Sequence, residues 1–274
     1  MRAPSDKTLD VGETTPSFIS STEFTKLRRH RRQENLGGII SNEIILHEMV
    51  AFLRRAFPNG GSALLDLGAG TQPYSGIYEP LFRECRSTDV EHSPHDTSSV
   101  DVIAPAESLP FADDGFDCVI CTEVLEHCAD PWAAASEIRR VLKPGGWAFI
   151  TTPFLRPLHE PPHDYHRFTP WGLEEMMRRS GLELHSITPR GDYLAVTLMT
   201  LLLPISKGWL LISRMLGLRC YRATNPLVWL AVVAPQRLYF ALWKAGRRRR
   251  GLRSMLRRLE YYTLGYVTVV RAPA

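Results

Sequence analysis

Between residues 62 and 190, short unbroken apolar runs alternate with stretches of helical character. No other feature restricts the fold as much. The runs at 63–65, 85–88, 100–103, 117–121, 147–151 and 182–187 read as strands, and 264–270 closes the series. Between the fourth and fifth, Asp130 can cap a helix that has Pro131 at its first position and ends before Lys143-Pro144-Gly145-Gly146. A second helix spans 170–179 and stops at Ser180-Gly181. Strands that are apolar throughout, rather than alternating, need helices over both faces. The pattern predicts an α/β chain with a doubly wound, mostly parallel seven-stranded sheet.

Outside that region the texture differs. Residues 1–16 are polar and read as a loose tail. Residues 17–61 read as a helical cap, in which Ile39, Ile40, Ile44, Ile45, Met49 and Phe52 recur at three-to-four spacing until Pro58-Asn59-Gly60-Gly61. The core is expected over 62–191 plus 260–274, with an apolar, basic helical insertion at 192–259. The net charge of +4 is unevenly spread: fourteen acids and two bases lie between Glu79 and Glu137, while Lys244 to Arg258 carries eight bases and no acid. A polyanionic partner would therefore meet the flanks. Five cysteines and no continuous apolar stretch over 1–15 point to a reducing, cytoplasmic setting rather than a disulfide framework.

The first strand runs into Asp66-Leu67-Gly68-Ala69-Gly70 and then a helix. Glycines there let a backbone approach a ligand, and the helix start presents N–H groups that have no intrahelical partner. A dinucleotide fingerprint wants a third glycine three residues after Gly70, and Pro73 stands there, which counts against NAD or FAD. Asp89, 23 residues beyond Asp66 at the end of the second strand, sits where such folds hold a ribose diol.

These motifs continue in order with Ala106-Glu107-Ser108-Leu109-Pro110-Phe111, Phe116-Asp117-Cys118-Val119-Ile120, Glu123-Val124-Leu125-Glu126-His127 and Arg140-Val141-Leu142-Lys143-Pro144-Gly145-Gly146. Together they resemble the class I S-adenosylmethionine-dependent methyltransferases, of the type 11-like group, over 62–190 and the last strand. The resemblance implies a Rossmann-like fold with S-adenosylmethionine as cofactor. It places the methionine end at Asp66, Gly68, Ala69 and Gly70, the ribose at Asp89 with Val90 beside it, and the adenine at Ala106 and Glu107, with Cys121 and Glu123 completing the pocket. The family often has an aspartate before that alanine. Here Pro105 takes the position, so adenine recognition rests on backbone or on Glu107.

Methyl transfer to a hydroxyl is helped by a base whose pKa lies near working pH, which makes histidine the natural choice. The segment after the fifth strand, His159-Glu160-Pro161-Pro162-His163-Asp164-Tyr165-His166-Arg167-Phe168-Thr169, offers several. It is similar to a subgroup often met in polysaccharide and glycolipid pathways, where this segment faces the acceptor. His163 or His166 is expected as base, with Asp164 orienting an imidazole, Arg167 holding an acceptor anion, Tyr165 lining the acceptor site and His127 next in line. The spacing of His159, His163 and His166 fits no standard metal template, and no metal is expected. Cys118 and Cys121 alternate across a strand and read as core.

The insertion carries fourteen uncharged residues at 193–206 and a second such stretch at 226–236, both too short to span a bilayer. With Trp209, Trp229, Tyr239 and Trp243 and the arginine run at 247–250, residues 193–258 read as a surface anchor for an anionic membrane. The expectation is a peripheral methyltransferase acting on an oxygen of a lipid-linked or glycan-type acceptor. The rivals are a soluble enzyme for a natural product or quinone, with the insertion as lid, and a non-catalytic cofactor-binding protein. Nucleic acid is not expected, since no RNA-binding motif accompanies the arginines.

Overall fold

The computed structural model describes residues 39–215, 230, 233–247 and 262–274. In chain order these form α1 (Ile39–Ala56), β1 (Gly61–Leu67), α2 (Ser75–Tyr78), β2 (Phe82–Asp89), β3 (Val102–Ile103), β4 (Phe116–Thr122), α3 (Pro131–Val141) and β5 (Leu142–Pro153). There follow α4 (Pro170–Arg179), β6 (Glu183–Pro189), α5 (Tyr193–Met215), α6 (Ala234–Arg247) and β7 (Gly265–Arg271). The arginine run beyond Arg247 and the tail at 1–16 lie outside the described residues.

The seven strands make one sheet in the order β3-β2-β1-β4-β5-β7-β6. β1 pairs in parallel with β2 and β4, β4 in parallel with β5, and β7 enters antiparallel to β5, with Phe149 opposite Val269. The order reverses between β1 and β4, and ligands of open α/β sheets bind outside the carboxyl ends of the strands at such a switch point. The doubly wound, mostly parallel sheet expected from the apolar runs is therefore present. β1 and β4 are buried along almost their whole length, as strands covered on both faces must be.

Strand starts are pinned by specific bonds. Asp117 Oδ2 accepts from the backbone N–H of Ser62 and Ala63 at 2.9 and 2.7 Å, tying the start of β1 to β4. Lys143 Nζ closes the arrangement on the same carboxylate at 3.0 Å. This explains why Lys143-Pro144-Gly145-Gly146, expected as a break between helix and strand, belongs to β5: the helix ends at Val141 and the strand begins at once. Asp130 caps α3 as expected, accepting from the N–H of Trp132 and Ala133 at 3.1 Å. Thr169 Oγ1 caps α4 by accepting from Gly172 N at 3.1 Å.

The described residues fall into two compact units. The first holds Glu48–Thr188 with Gly265–Ala274, and the second holds 39–47 with the residues described between 189 and 264. The first contains the sheet and a core in which Leu65, Leu67, Val119, Ile138, Ile150, Met176 and Val270 are almost wholly buried. The second has a core of its own, with Ile40, Ile44, Ala195, Met199, Tyr239 and Trp243. No helix among the described residues is long and apolar enough to cross a membrane.

Candidate active site

The turn after β1 is built by backbone conformation. Gly68 and Gly70 adopt φ of +67° and +51°, the left-handed region that glycine enters without steric cost. A side chain on Gly68 would also meet Val124 Cγ2 at 2.3 Å. Ala69 N donates to Thr88 O at 2.9 Å and Gly70 N to Asp89 Oδ2 at 2.6 Å, so the turn is laced to the end of β2. Asp89 Oδ1 accepts from Val90 N at 2.7 Å. Each carboxylate oxygen so fixed keeps a further lone pair, and two adjacent acceptors match a vicinal diol.

Asp66 lies on β1 itself, just before the glycine turn. Its side chain is fully buried and accepts from Tyr78 Oη at 2.7 Å. Burial, with the charge of Asp89 nearby, raises its carboxyl to about 7 despite the tyrosine bond. Burial and the adjacent Asp66 likewise push the Tyr78 hydroxyl up.

The segment carrying Ala106 and Glu107 is braced from α3. Arg140 donates to Phe111 O at 2.7 Å and to Leu109 O at 2.9 Å, while Glu137 Oε2 accepts from Leu109 N at 2.7 Å. Glu137 and Arg140 pair with each other at 2.7 Å, which holds the Glu137 carboxyl below its ordinary range. Neither residue stood out in the sequence as part of a ligand pocket, although their i,i+3 spacing on a helix is the visible signal. The Cys121 side chain is wholly buried in the core, and burial drives its thiol well up. Glu123, at φ +57°, accepts from the Thr151 hydroxyl at 3.0 Å and pairs with Arg156 at 2.6 Å.

Beyond β4 and β5 two neighbouring loops meet. Tyr165 N and His166 N donate to Glu126 O at 2.9 and 3.2 Å, and His127 Nδ1 donates to His163 O at 2.6 Å. Within this junction the structure corrects the expected roles. Asp164 orients neither His163 nor His166: its Oδ2 accepts from His159 N at 2.9 Å and lies 3.2 Å from His159 Nδ1. Arg167 is not available to an acceptor anion, because its guanidinium grips Asp164 with both terminal nitrogens and donates to His166 O. That fork holds the Asp164 carboxyl far below the usual range. His166 stacks on Phe168 with centroids 5.6 Å apart, and its Nε2 is buried without a hydrogen-bond partner among the described residues. The position suits packing, not proton transfer to a solvent-side acceptor.

His163 is different. It is half-buried, its Nδ1 lies 3.0 Å from the Tyr165 hydroxyl, and its ring rests 4.6 Å from that of His92. Tyr165 itself is half exposed. Deeper in the same junction His127, His159 and the wholly buried carboxylate of Glu126 converge, with Glu160 at the edge. The sequence marked His127 as a reserve base and His159 as part of the loop. It did not mark Glu126 or Glu160, whose places depend on β4 and β5 being neighbours.

Comparison with known proteins decides the family. Residues 65–150 match the family described as "Methyltransferase domain". The chain is 34% identical over 159 residues to a ubiquinone biosynthesis O-methyltransferase from Thiobacillus denitrificans, covering 48% of this chain and 68% of that protein. The chain belongs to the S-adenosylmethionine-dependent methyltransferases. An uncharacterized methyltransferase of Mycolicibacterium vanbaalenii is 31% identical over 146 residues, covering 48% of this chain and 54% of that protein. The human thiol S-methyltransferase TMT1B is 35% identical over 115 residues, covering 35% and 46%. The methyltransferase chain thus spans from about half to two thirds of these relatives' lengths. In fold it is similar to the crystal structure of the [4+2]-cyclase SpnF, with a TM-score of 0.53 at 20% identity over 83% of this chain and 80% of that one. A putative sarcosine dimethylglycine methyltransferase from Galdieria sulphuraria gives 0.51 at 13% identity over 82% and 84%. S-adenosylmethionine is the cofactor indicated for this methyltransferase, and the glycine turn with its paired Asp89 acceptors fits it.

Proposed function

We propose that this methyltransferase moves a methyl group from S-adenosylmethionine to an oxygen of its acceptor, with His163 as the base. The observation that carries the reading is the position of His163: on the loop after β5, at the carboxyl edge of the sheet, bonded to an exposed tyrosine hydroxyl. When bound, the cofactor supplies an activated methyl group. Gly68, Ala69 and Gly70 would seat its amino-acid end, Asp89 its ribose, and the braced Ala106–Glu107 segment its adenine. What remains for the protein is to align the acceptor oxygen, exclude water and accept the hydroxyl proton. His163 would take that proton and Tyr165 would flank the acceptor. Glu126, His127 and the Asp164–Arg167 pair hold the loop that presents them.

For the acceptor we infer a lipid-linked or glycan-type molecule met at a membrane surface. Exposed Tyr193, Leu194, Leu201, Leu238 and Leu242 on the helices of the second unit support this reading, since apolar side chains outside water-soluble cores suit an interfacial anchor. A second reading, a small soluble acceptor such as a quinone precursor, is favoured by the relative named for ubiquinone biosynthesis.

The test pairs two measurements. His163→Ala is expected to lower turnover of a labelled methyl donor by roughly 100-fold, the lower end for a lost general base, with cofactor affinity unchanged. Flotation with anionic liposomes is expected to carry the full chain upward. Unchanged turnover in the variant removes His163 from the chemistry, and a chain left at the bottom of the gradient favours the small soluble acceptor.

A further inference from the structure

We propose that Glu126, His127 and His159 form a binding site for a divalent transition-metal ion, with Glu160 as a fourth donor at its rim. The assignment rests on the positions of these side chains and needs neither the acceptor nor the base named above.

Three observations point the same way. First, the donor atoms converge without touching. Glu126 Oε1 lies 3.7 Å from His127 Nε2 and 3.8 Å from His159 Nε2, and Glu160 Oε2 lies 3.6 Å from His127 Nε2. These separations exceed the roughly 3.2 Å limit of a good N–H···O bond. They approach the spacing of about 3.4 Å between two ligands held 2.0–2.1 Å from one tetrahedral ion. The ligand atoms of Glu126, His127 and His159 all fall within 4.8 Å of one another.

Second, each imidazole is turned so that Nε2 faces that point. His127 Nδ1–H donates to His163 O at 2.6 Å, which leaves the Nε2 lone pair for a ligand bond. His159 Nδ1 lies 3.2 Å from Asp164 Oδ2, and Asp164 is itself clamped by both terminal nitrogens of Arg167. Metal-bound histidines are characteristically oriented through a carbonyl or carboxylate on the other ring nitrogen, as His127 is here. Asp164, clamped by Arg167, fixes the backbone that carries His159 by accepting from its N–H at 2.9 Å.

Third, the Glu126 carboxylate is wholly buried, so an ion seated against it would be shielded from bulk water and held more strongly than at a surface. Glu126 is also tied by backbone to the loop that carries His159, because its carbonyl accepts from Tyr165 N and His166 N. Two imidazoles and one or two carboxylates suit Zn²⁺, Mn²⁺ or Fe²⁺ better than Ca²⁺ or Mg²⁺, which prefer oxygen alone.

The test uses the full chain stripped with chelator and then titrated with Zn²⁺ in competition with a chromophoric chelator. One tight equivalent is expected. Glu126→Gln and His159→Ala should each weaken it by 100-fold or more, and Asp164→Asn by about 10–100-fold, as for a residue that orients a ligand. His92→Ala, which removes a surface imidazole, should leave the affinity unchanged. Calorimetric binding of S-adenosylmethionine to each variant shows that it is folded and keeps this outcome separate from the methyltransferase reading. The absence of a tight equivalent in the parent chain overturns the proposal. So does Zn²⁺ binding that survives Glu126→Gln and His159→Ala, or that falls equally with His92→Ala, since that marks an adventitious ion only.

Discussion

Replacing Asp66 by Asn should flatten part of the protein's pH–stability curve. The Asp66 carboxyl moves from an ordinary 3.8 in the unfolded chain to about 7 in the folded one, chiefly through burial. A tenfold change in proton affinity is worth about 1.36 kcal/mol, so the whole linkage comes to about 4 kcal/mol. The sign follows from which state holds the proton. Below pH 3.8 both states are protonated and the contribution is complete. As the pH rises toward 7 the unfolded chain ionises freely while the folded one resists, and stability is lost across that window. Above pH 7 both states are ionised and the loss levels off. Other groups slope the opposite way: Asp164, Glu137 and Glu160 have folded values below their ordinary ones, so they gain stability as the pH rises. For that reason the difference between the parent and Asp66→Asn is the useful quantity. Asparagine can still accept from Tyr78 Oη and fills nearly the same volume, so it removes the ionisation and little else. Urea unfolding of both proteins at pH 4, 5.5, 7 and 8 should show the variant gaining on the parent by several kcal/mol between the first and third points, then holding constant. Parallel curves for the two proteins would refute the argument that burial governs this carboxyl.

Other substitutions probe separate parts of the account. Gly68→Ala places a methyl 2.3 Å from Val124 Cγ2 at a φ of +67°, and should cost at least about 1 kcal/mol from the left-handed backbone alone. It should also weaken cofactor binding more than tenfold, and a variant with parental affinity and melting temperature contradicts the turn geometry. Asp164→Asn breaks a partly buried charge pair with Arg167 and is expected to lower stability by about 2 kcal/mol in chemical denaturation; a loss below about 0.5 kcal/mol would mean that the pair does not organise the loop. Asp130→Ala removes the cap of α3 and should cost about 1 kcal/mol, measurable as a shift of the urea midpoint with unchanged slope.

Much of the sheet was legible because its central strands are apolar on both faces and its helices carry their caps in the sequence. Asp130 with Pro131, and Thr169 ahead of Pro170, announce helix starts through local chemistry alone. Less legible were elements whose limits depend on partners. Lys143 to Gly146 reads as a turn by composition, yet it is drawn into β5 by the Lys143–Asp117 pair and by Gly145 N donating to Ala272 O and Pro273 O. The glycine turn, Asp89 and the loop after β5 stood out because each concentrates unusual residues in a short stretch. The division of labour within that loop did not, because it is set by the neighbouring loop after β4. Whether Asp164 faces His163 or His159, and whether Arg167 is spent on Asp164 or open to an acceptor, are decided by the fold of the chain around Glu126. The buried carboxylate itself lies inside a motif that drew attention to its glycine-turn companions and not to its burial.

The central claim is that the turn at Gly68–Gly70 and the carboxylate of Asp89 form one seat for S-adenosylmethionine. Isothermal titration of the full chain with S-adenosylmethionine, repeated on Asp89→Ala, measures it directly. One equivalent bound by the parent, with an affinity more than tenfold weaker in the variant, is the predicted result; equal affinity in the two proteins, or no binding to the parent at all, would contradict it.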